Sequence, residues 1–185
     1  PTTTGATNFN QWYNDTPGVN QTTTITLTAN ETAPGSGVYT YTNNNYFPID
    51  NQLFGNEGQG HNYAFTSEIH TSFTYSGGES FSFTGDDDVW VFIGGVLAVD
   101  LGGVHGPATG SVLLDTFALA NGLTIGNTYS LDIFQAERHT TGSSFSFTTS
   151  LVLVDAPAVP APGMLTLFAA GVLGLAGLRR RKPAA

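Results

Sequence analysis

Apolar and polar residues alternate with period two through most of the first 155 positions. The pattern is clearest at Thr22 to Thr28, Val38 to Thr42, Phe73 with Tyr75, Phe81 with Phe83, Trp90 with Phe92, Leu131 with Ile133, and Phe145 with Phe147. Side chains of an extended chain point alternately to opposite faces, so each stretch predicts a half-buried strand. Thr, Tyr, Phe and Val fill these stretches, as a pleated surface favours. Clusters such as Ala33-Pro34-Gly35-Ser36-Gly37 and Asn43-Asn44-Asn45 separate them as turns. Val89 to Ile93 is apolar on both faces, which predicts a central strand, and Tyr129 to Phe134 is nearly so. No helical period of useful length and no fixed-length repeat occurs before Ala156. Short strands with turn signals between them predict an all-β fold, an antiparallel sandwich formed by residues 1–155.

The pattern changes at Ala156. A Pro/Ala spacer (156–163) is followed by an uncharged, mainly apolar run from Met164 to Leu178 and then by Arg179, Arg180, Arg181 and Lys182. As a helix the run covers about 22 Å at ~1.5 Å per residue, against a hydrocarbon core of ~30 Å, so flanking residues must help it span. The expectation is a C-terminal hydrophobic helix of transmembrane type, with the bases kept cytoplasmic and residues 1–155 outside. A buried C-terminal core helix is the weaker reading, because a proline-rich spacer isolates the run.

Composition sharpens this division. All 14 acids lie between Asp15 and Asp155, while four of the five bases close the chain. Arg138 alone stands against those 14 acids, giving residues 1–155 a net charge of −13. Such a surface repels nucleic acid phosphates and anionic membranes and attracts divalent cations. Cysteine is absent, which excludes disulfides, thiolate metal sites and a cysteine nucleophile. The chain opens on Pro1 rather than Met, so a signal peptide is expected to have preceded it.

The candidate chemistry centres on Gly85-Asp86-Asp87-Asp88-Val89-Trp90, where three adjacent carboxylates meet the start of an apolar strand. Their all-oxygen donor set favours calcium or magnesium over softer metals. The strand leads on to Asp100-Leu101-Gly102-Gly103-Val104-His105, and the 129–134 strand to Glu137-Arg138-His139. If the two strands are neighbours, Asp86, Asp87, Asp88 and Asp100 gather with His105, Glu137, Arg138 and His139 at one end of the sandwich. Calcium prefers oxygen, so His105 suits a supporting hydrogen bond better than direct ligation. Arg138 must pair with a carboxylate, either tying its loop to the aspartates or facing a ligand from the rim. Trp12, Tyr13 and Trp90 are possible platforms for a sugar ring, although strand spacing places Trp90 in the core. Catalysis is not expected. The four histidines lack zinc spacing, no nucleophile elbow or phosphate-binding loop occurs, and Glu137 opposite the aspartates is the one carboxyl pairing open to a glycosidase.

Residues Phe9 to Leu153 resemble a fibro-slime domain, a relative of the PA14 β-sandwich modules. The resemblance rests on Phe9-Asn10-Gln11-Trp12-Tyr13, Tyr46-Phe47-Pro48-Ile49-Asp50, the Gly85 to Ile93 run, Asp100 to His105, and Ala136-Glu137-Arg138-His139 with Ser143-Ser144-Phe145. In PA14-type lectins two consecutive aspartates joined by a cis peptide hold a calcium ion that binds sugar hydroxyls. The resemblance places that pair at Asp86-Asp87. The tail resembles a PEP-CTERM sorting signal, read by an exosortase-type processing enzyme, with Val159-Pro160-Ala161-Pro162-Gly163 where that family usually has Pro-Glu-Pro. Together these imply an exported surface module of the extracellular matrix that binds Ca2+ and an extracellular glycan or polysaccharide. It would be anchored at first in the inner membrane by its tail. A structural matrix or fibre module, rigidified by calcium and partnered by protein, is the alternative.

Overall fold

The structure is a computed structural model and describes residues 5–155. Its strands are β1 (Asn30–Glu31), β2 (Tyr39–Asn43), β3 (Phe65–Thr74), β4 (Ser80–Gly85), β5 (Asp88–Ile93), β6 (Val96–Leu101), β7 (Ala108–Leu113), β8 (Thr128–Glu137), β9 (Phe145–Thr149) and β10 (Leu153–Asp155). Two helices accompany them, α1 (Ala6–Phe9) and α2 (Leu114–Asn121). The strands form two antiparallel five-stranded sheets in the orders β1-β2-β9-β4-β7 and β10-β3-β8-β5-β6. This is the expected sandwich.

The inward faces follow the sequence alternation. Phe81 and Phe83 of β4 and Phe145 of β9 meet Phe73 of β3, Val89, Val91 and Ile93 of β5, and Leu131 of β8, all fully buried. Each such side chain is worth roughly 1.5–3 kcal/mol of transfer free energy, and this supplies the stability that disulfides do not. β5 lies between β8 and β6, so the doubly apolar strand is interior, and its neighbour is β8, as the site hypothesis requires. Its outer face is covered by the N-terminal segment: Phe9 stands edge-on to Trp90 at 5.9 Å, and Tyr13 edge-on to Phe134 of β8 at 5.1 Å. Trp90 is therefore half-buried beneath Phe9 rather than enclosed in the core.

Two expectations fail. Residues 22–28 join neither sheet. Leu27 packs against the core and Thr22 to Ile25 face the edge of β3 across a groove, but their backbone makes no bonds to it, so alternation alone does not make a strand. The second failure is α2, which stands where no helix is expected. It buries Leu114 and Ala118 and ends on Gly122 in the left-handed conformation, φ 74°. Eight residues are too few to display a helical period. No helix among the described residues is long and apolar enough to cross a membrane. The expected spacer, hydrophobic helix and basic cluster (156–185) lie outside the described residues.

Candidate functional site

The aspartates are buried because of where the chain changes sheets. β4 belongs to one sheet and β5 to the other, and the two-residue link between them is Asp86-Asp87. β8 to β9 makes the reverse crossing through residues 138–144, and β6 to β7 a third through residues 102–107. Register puts all three at one end: Gly85 pairs with Phe145 and Ala108, Asp88 with Ala136, and Val89 with Leu101. The Asp86-Asp87 peptide bond is cis, as the resemblance implies.

Four carboxylates are buried here, Asp86, Asp87, Asp88 and Glu137, with Asp88 1% and Glu137 2% exposed. Backbone amides from the neighbouring crossings hold them. The Ser144 amide donates to Asp86 Oδ1, the Arg138 amide to Asp87 Oδ2 at 3.3 Å, and the Gly103 amide to Asp88 Oδ1 at 2.5 Å. Gln135 Nε2 donates to the Asp86 carbonyl at 2.9 Å, and the Asp87 amide to the Ala136 carbonyl at 3.2 Å. Arg138 grips Asp88 with two donors, Nε to Oδ2 at 2.5 Å and a terminal nitrogen to Oδ1 at 3.1 Å. Its guanidinium carbon lies 5.4 Å from the centre of the Trp12 ring. Arg138 is thus the structural tie between loops, and Trp12 faces the arginine.

The other expected members divide into two groups. His105 lies in the third crossing, Nε2 at 2.8 Å from the Leu101 carbonyl and Nδ1 at 2.8 Å from that of Gly106. Both partners only accept, so both ring nitrogens must donate, which is the imidazolium form. Burial lowers the His105 pKa, but the two carbonyls and the charges of Asp87 and Asp88 outweigh it and hold the pKa above its ordinary value. Asp100 is exposed and accepts from the Gly102 amide at 3.0 Å, a strand-end turn outside the buried cluster. His139 is exposed too, its ring nitrogen on Thr141, while its amide donates to Glu137 Oε1 at 3.0 Å.

The charge balance is left open. Burial pushes Asp86 above the usual carboxylate range, the Ser144 amide pulling against it and the Asp87 charge adding to it. Burial pushes Glu137 up to about 7, with the His139 amide opposing and the Asp87 and Asp86 charges adding. Glu137 Oε2, Gln135 Oε1 and Ser143 Oγ are buried with no hydrogen-bond partner, and the Ser143 hydroxyl approaches Glu137 without a bond of ordinary geometry. Among the described residues no three His, Asp or Glu side chains already stand as a ligating group. A metal here would use the paired aspartates together with other oxygens. Gln135, Ser143 and Ser144 escaped the sequence reading as site residues. Gln135 was legible: it shares strand parity with buried Leu131 and Ile133, so its amide had to point inward.

Comparison with known proteins bears on both halves. The family model described as "PA14 domain" matches residues 32–162, and that described as "PEP-CTERM protein-sorting motif" matches residues 158–182. The chain is similar to protein psiQ of Dictyostelium discoideum, 44% identical over 158 residues, which are 78% of this chain and 16% of psiQ. It is 41% identical to psiC of the same organism over 153 residues, 78% of this chain and 29% of psiC. To psiE it is 50% identical over 125 residues, 62% of this chain and 24% of psiE. The chain therefore spans less than a third of these curated relatives. No solved structure matches.

Proposed function

We propose, from the premise that this chain belongs to the PA14 domain family, that it is a non-catalytic binding module whose Asp86-Asp87 pair takes calcium and whose partner is an extracellular glycan. Its PEP-CTERM motif and PA14 domain mark an exported cell-surface protein, and the motif implies processing by an exosortase-type enzyme. The observation that carries the calcium reading is the excess of buried oxygen. Four buried carboxylates face one arginine and the His105 ring, and one of their own oxygens, Glu137 Oε2, lacks a partner together with Gln135 Oε1 and Ser143 Oγ. Buried polar atoms in native proteins are satisfied, so partnerless ones beside uncompensated charge call for a hydrated hard cation. Asp86 and Asp87 would hold the ion, with Glu137 and Gln135 at hand. Bound there, calcium would neutralise the cluster and present open coordination positions to hydroxyl oxygens.

The burial of the pair favours a second reading, in which calcium rigidifies the junction of three crossings and the partner is protein. One experiment separates these readings. Full-length protein is melted and applied to a glycan array, with calcium and with chelator. A calcium-dependent rise in Tm that Asp87→Ala abolishes, together with calcium-dependent sugar binding, supports the glycan module. The same rise with calcium-dependent assembly and no sugar supports the structural one. An unchanged Tm sinks the calcium site in both.

A further inference from the structure

A groove of about 620 Å3 runs beside β3 and ends at Ala136 to Arg138, where β8 ends. Both strand parities of β3, from Ala64 to His70, line it, which an edge permits and a face does not. β10 covers that edge only at Thr71–Phe73. From Phe65 to His70, among the described residues, β3 makes backbone bonds to β8 alone. Alternate residues there present N–H and C=O groups to the groove, and an open edge of this kind is a template for another strand. The opposite wall carries Val19, Ile25, Leu53 and Phe54, four large apolar side chains left exposed, Phe54 at 55%. Asp15, Glu57 and Glu68 give the groove its acidic charge; of the basic groups lining it, Arg138 is already paired with Asp88, and His70 sits between Glu68 at 3.1 Å and Asp132 at 2.8 Å.

We infer that this edge is a second binding site, which meets the aspartate junction only at its Ala136–Arg138 end and uses none of the three aspartates. Its ligand is an extended peptide of a partner protein, added as a strand along Phe65–His70. Six paired residues span about 20 Å. Backbone bonds to the edge supply affinity, and side chains of one parity enter the groove. The apolar wall selects valine- or leucine-like residues, and the acids select lysine or arginine between them. The chain's own spacer is a poor occupant, because Pro157, Pro160 and Pro162 lack the donors a strand needs.

The test is an NMR titration of the full chain in detergent micelles with a capped six-residue peptide alternating Lys and Val, beside its Glu/Val counterpart. The expected result is saturable shifts of the Phe65–His70 amides with the Lys peptide, in chelator as well as in calcium. The Glu peptide should shift them at least tenfold more weakly. N-methylating one alternate set of peptide amides should abolish binding, while methylating the other set leaves it intact. The Glu57→Lys, Glu68→Lys pair should reverse the charge preference. No shift at these amides, equal response to both peptides, or indifference to N-methylation would overturn the proposal. So would slow exchange of these amides in the chain alone, since the edge would then already be filled by the chain itself.

Discussion

Arg138 and Asp88 form a two-donor ion pair between the 138–144 crossing and the first residue of β5, and Trp12 stacks on the guanidinium from the N-terminal segment. Asp88 is almost wholly buried, so the pair is far from a surface contact. Its Gly103 bond links the third crossing to the same carboxylate. One side chain thereby holds three segments that meet at the candidate site.

Removing one partner leaves an uncompensated buried charge, which costs more than the pair contributes. Arg138→Gln should therefore destabilise the domain by about 3 kcal/mol, read from chemical denaturation. The double variant Arg138→Gln with Asp88→Asn should recover a good part of that loss, and Trp12→Ala should cost about 1 kcal/mol or more through the lost cation–π contact. Additive losses in the double variant would show that the two residues do not act together.

Glu137 gives the domain an unusual pH response when calcium is removed. Its folded pKa is raised from 4.5 to about 7, so between those values the folded state keeps a proton that the unfolded chain releases. Stability therefore falls as pH rises through this window, and the full cost, on the order of 3 kcal/mol, is present above pH 7. His105 acts in the same direction: its raised pKa contributes stability below its unfolded value that is lost as pH climbs through the folded one. Melting in chelator should give a higher Tm at pH 5 than at pH 8. Glu137→Gln should flatten the curve, and a Tm that rises with pH would contradict the assignment.

Much of this was legible in the sequence. Phe81, Phe83 and Leu131 alternate with polar neighbours, and each lies inward as its parity requires. Arg138 had to find a carboxylate because it is the one base among the first 155 residues. Which of three adjacent aspartates it takes depends on the sheet change at Asp86-Asp87, a tertiary fact with no local signature. β6 and β7 were missed because Val96–Leu101 and Ala108–Leu113 mix exposed apolar and inward small residues, as edge strands do. Residues 22–28 show the converse, alternation without a strand bonded to the backbone.

Gly85 should tolerate no side chain. A Cβ there would lie 2.5 Å from Phe83 Cε1 and 2.9 Å from the Ser144 carbonyl oxygen. That carbonyl accepts from the Asp86 amide, so the clash falls on the crossing itself. Gly85→Ala should cost about 2–3 kcal/mol by overpacking. Gly60→Ala, with nothing within 4 Å, should change stability by less than about 0.5 kcal/mol. Equal melting of the two variants would refute the close packing of β4 against the 138–144 crossing.

The tail prediction follows from charge and length. Met164 to Leu178 carries no charge, and four bases follow within the segment that matches the sorting motif. As a helix the run would cover about 22 Å, less than a bilayer core, so anchoring would depend on its basic flank, which resists translocation. Replacing Arg179, Arg180 and Arg181 with Ala should lower membrane retention and processing of the full chain. The near-ultraviolet spectrum and Tm of the β-sandwich should not change. Before processing, the unaltered chain should sediment with inner membranes and need detergent for extraction. Chain that stays soluble without detergent, or a β-sandwich that unfolds when cut after Asp155, would place Met164 to Leu178 in a protein core and remove the anchoring role.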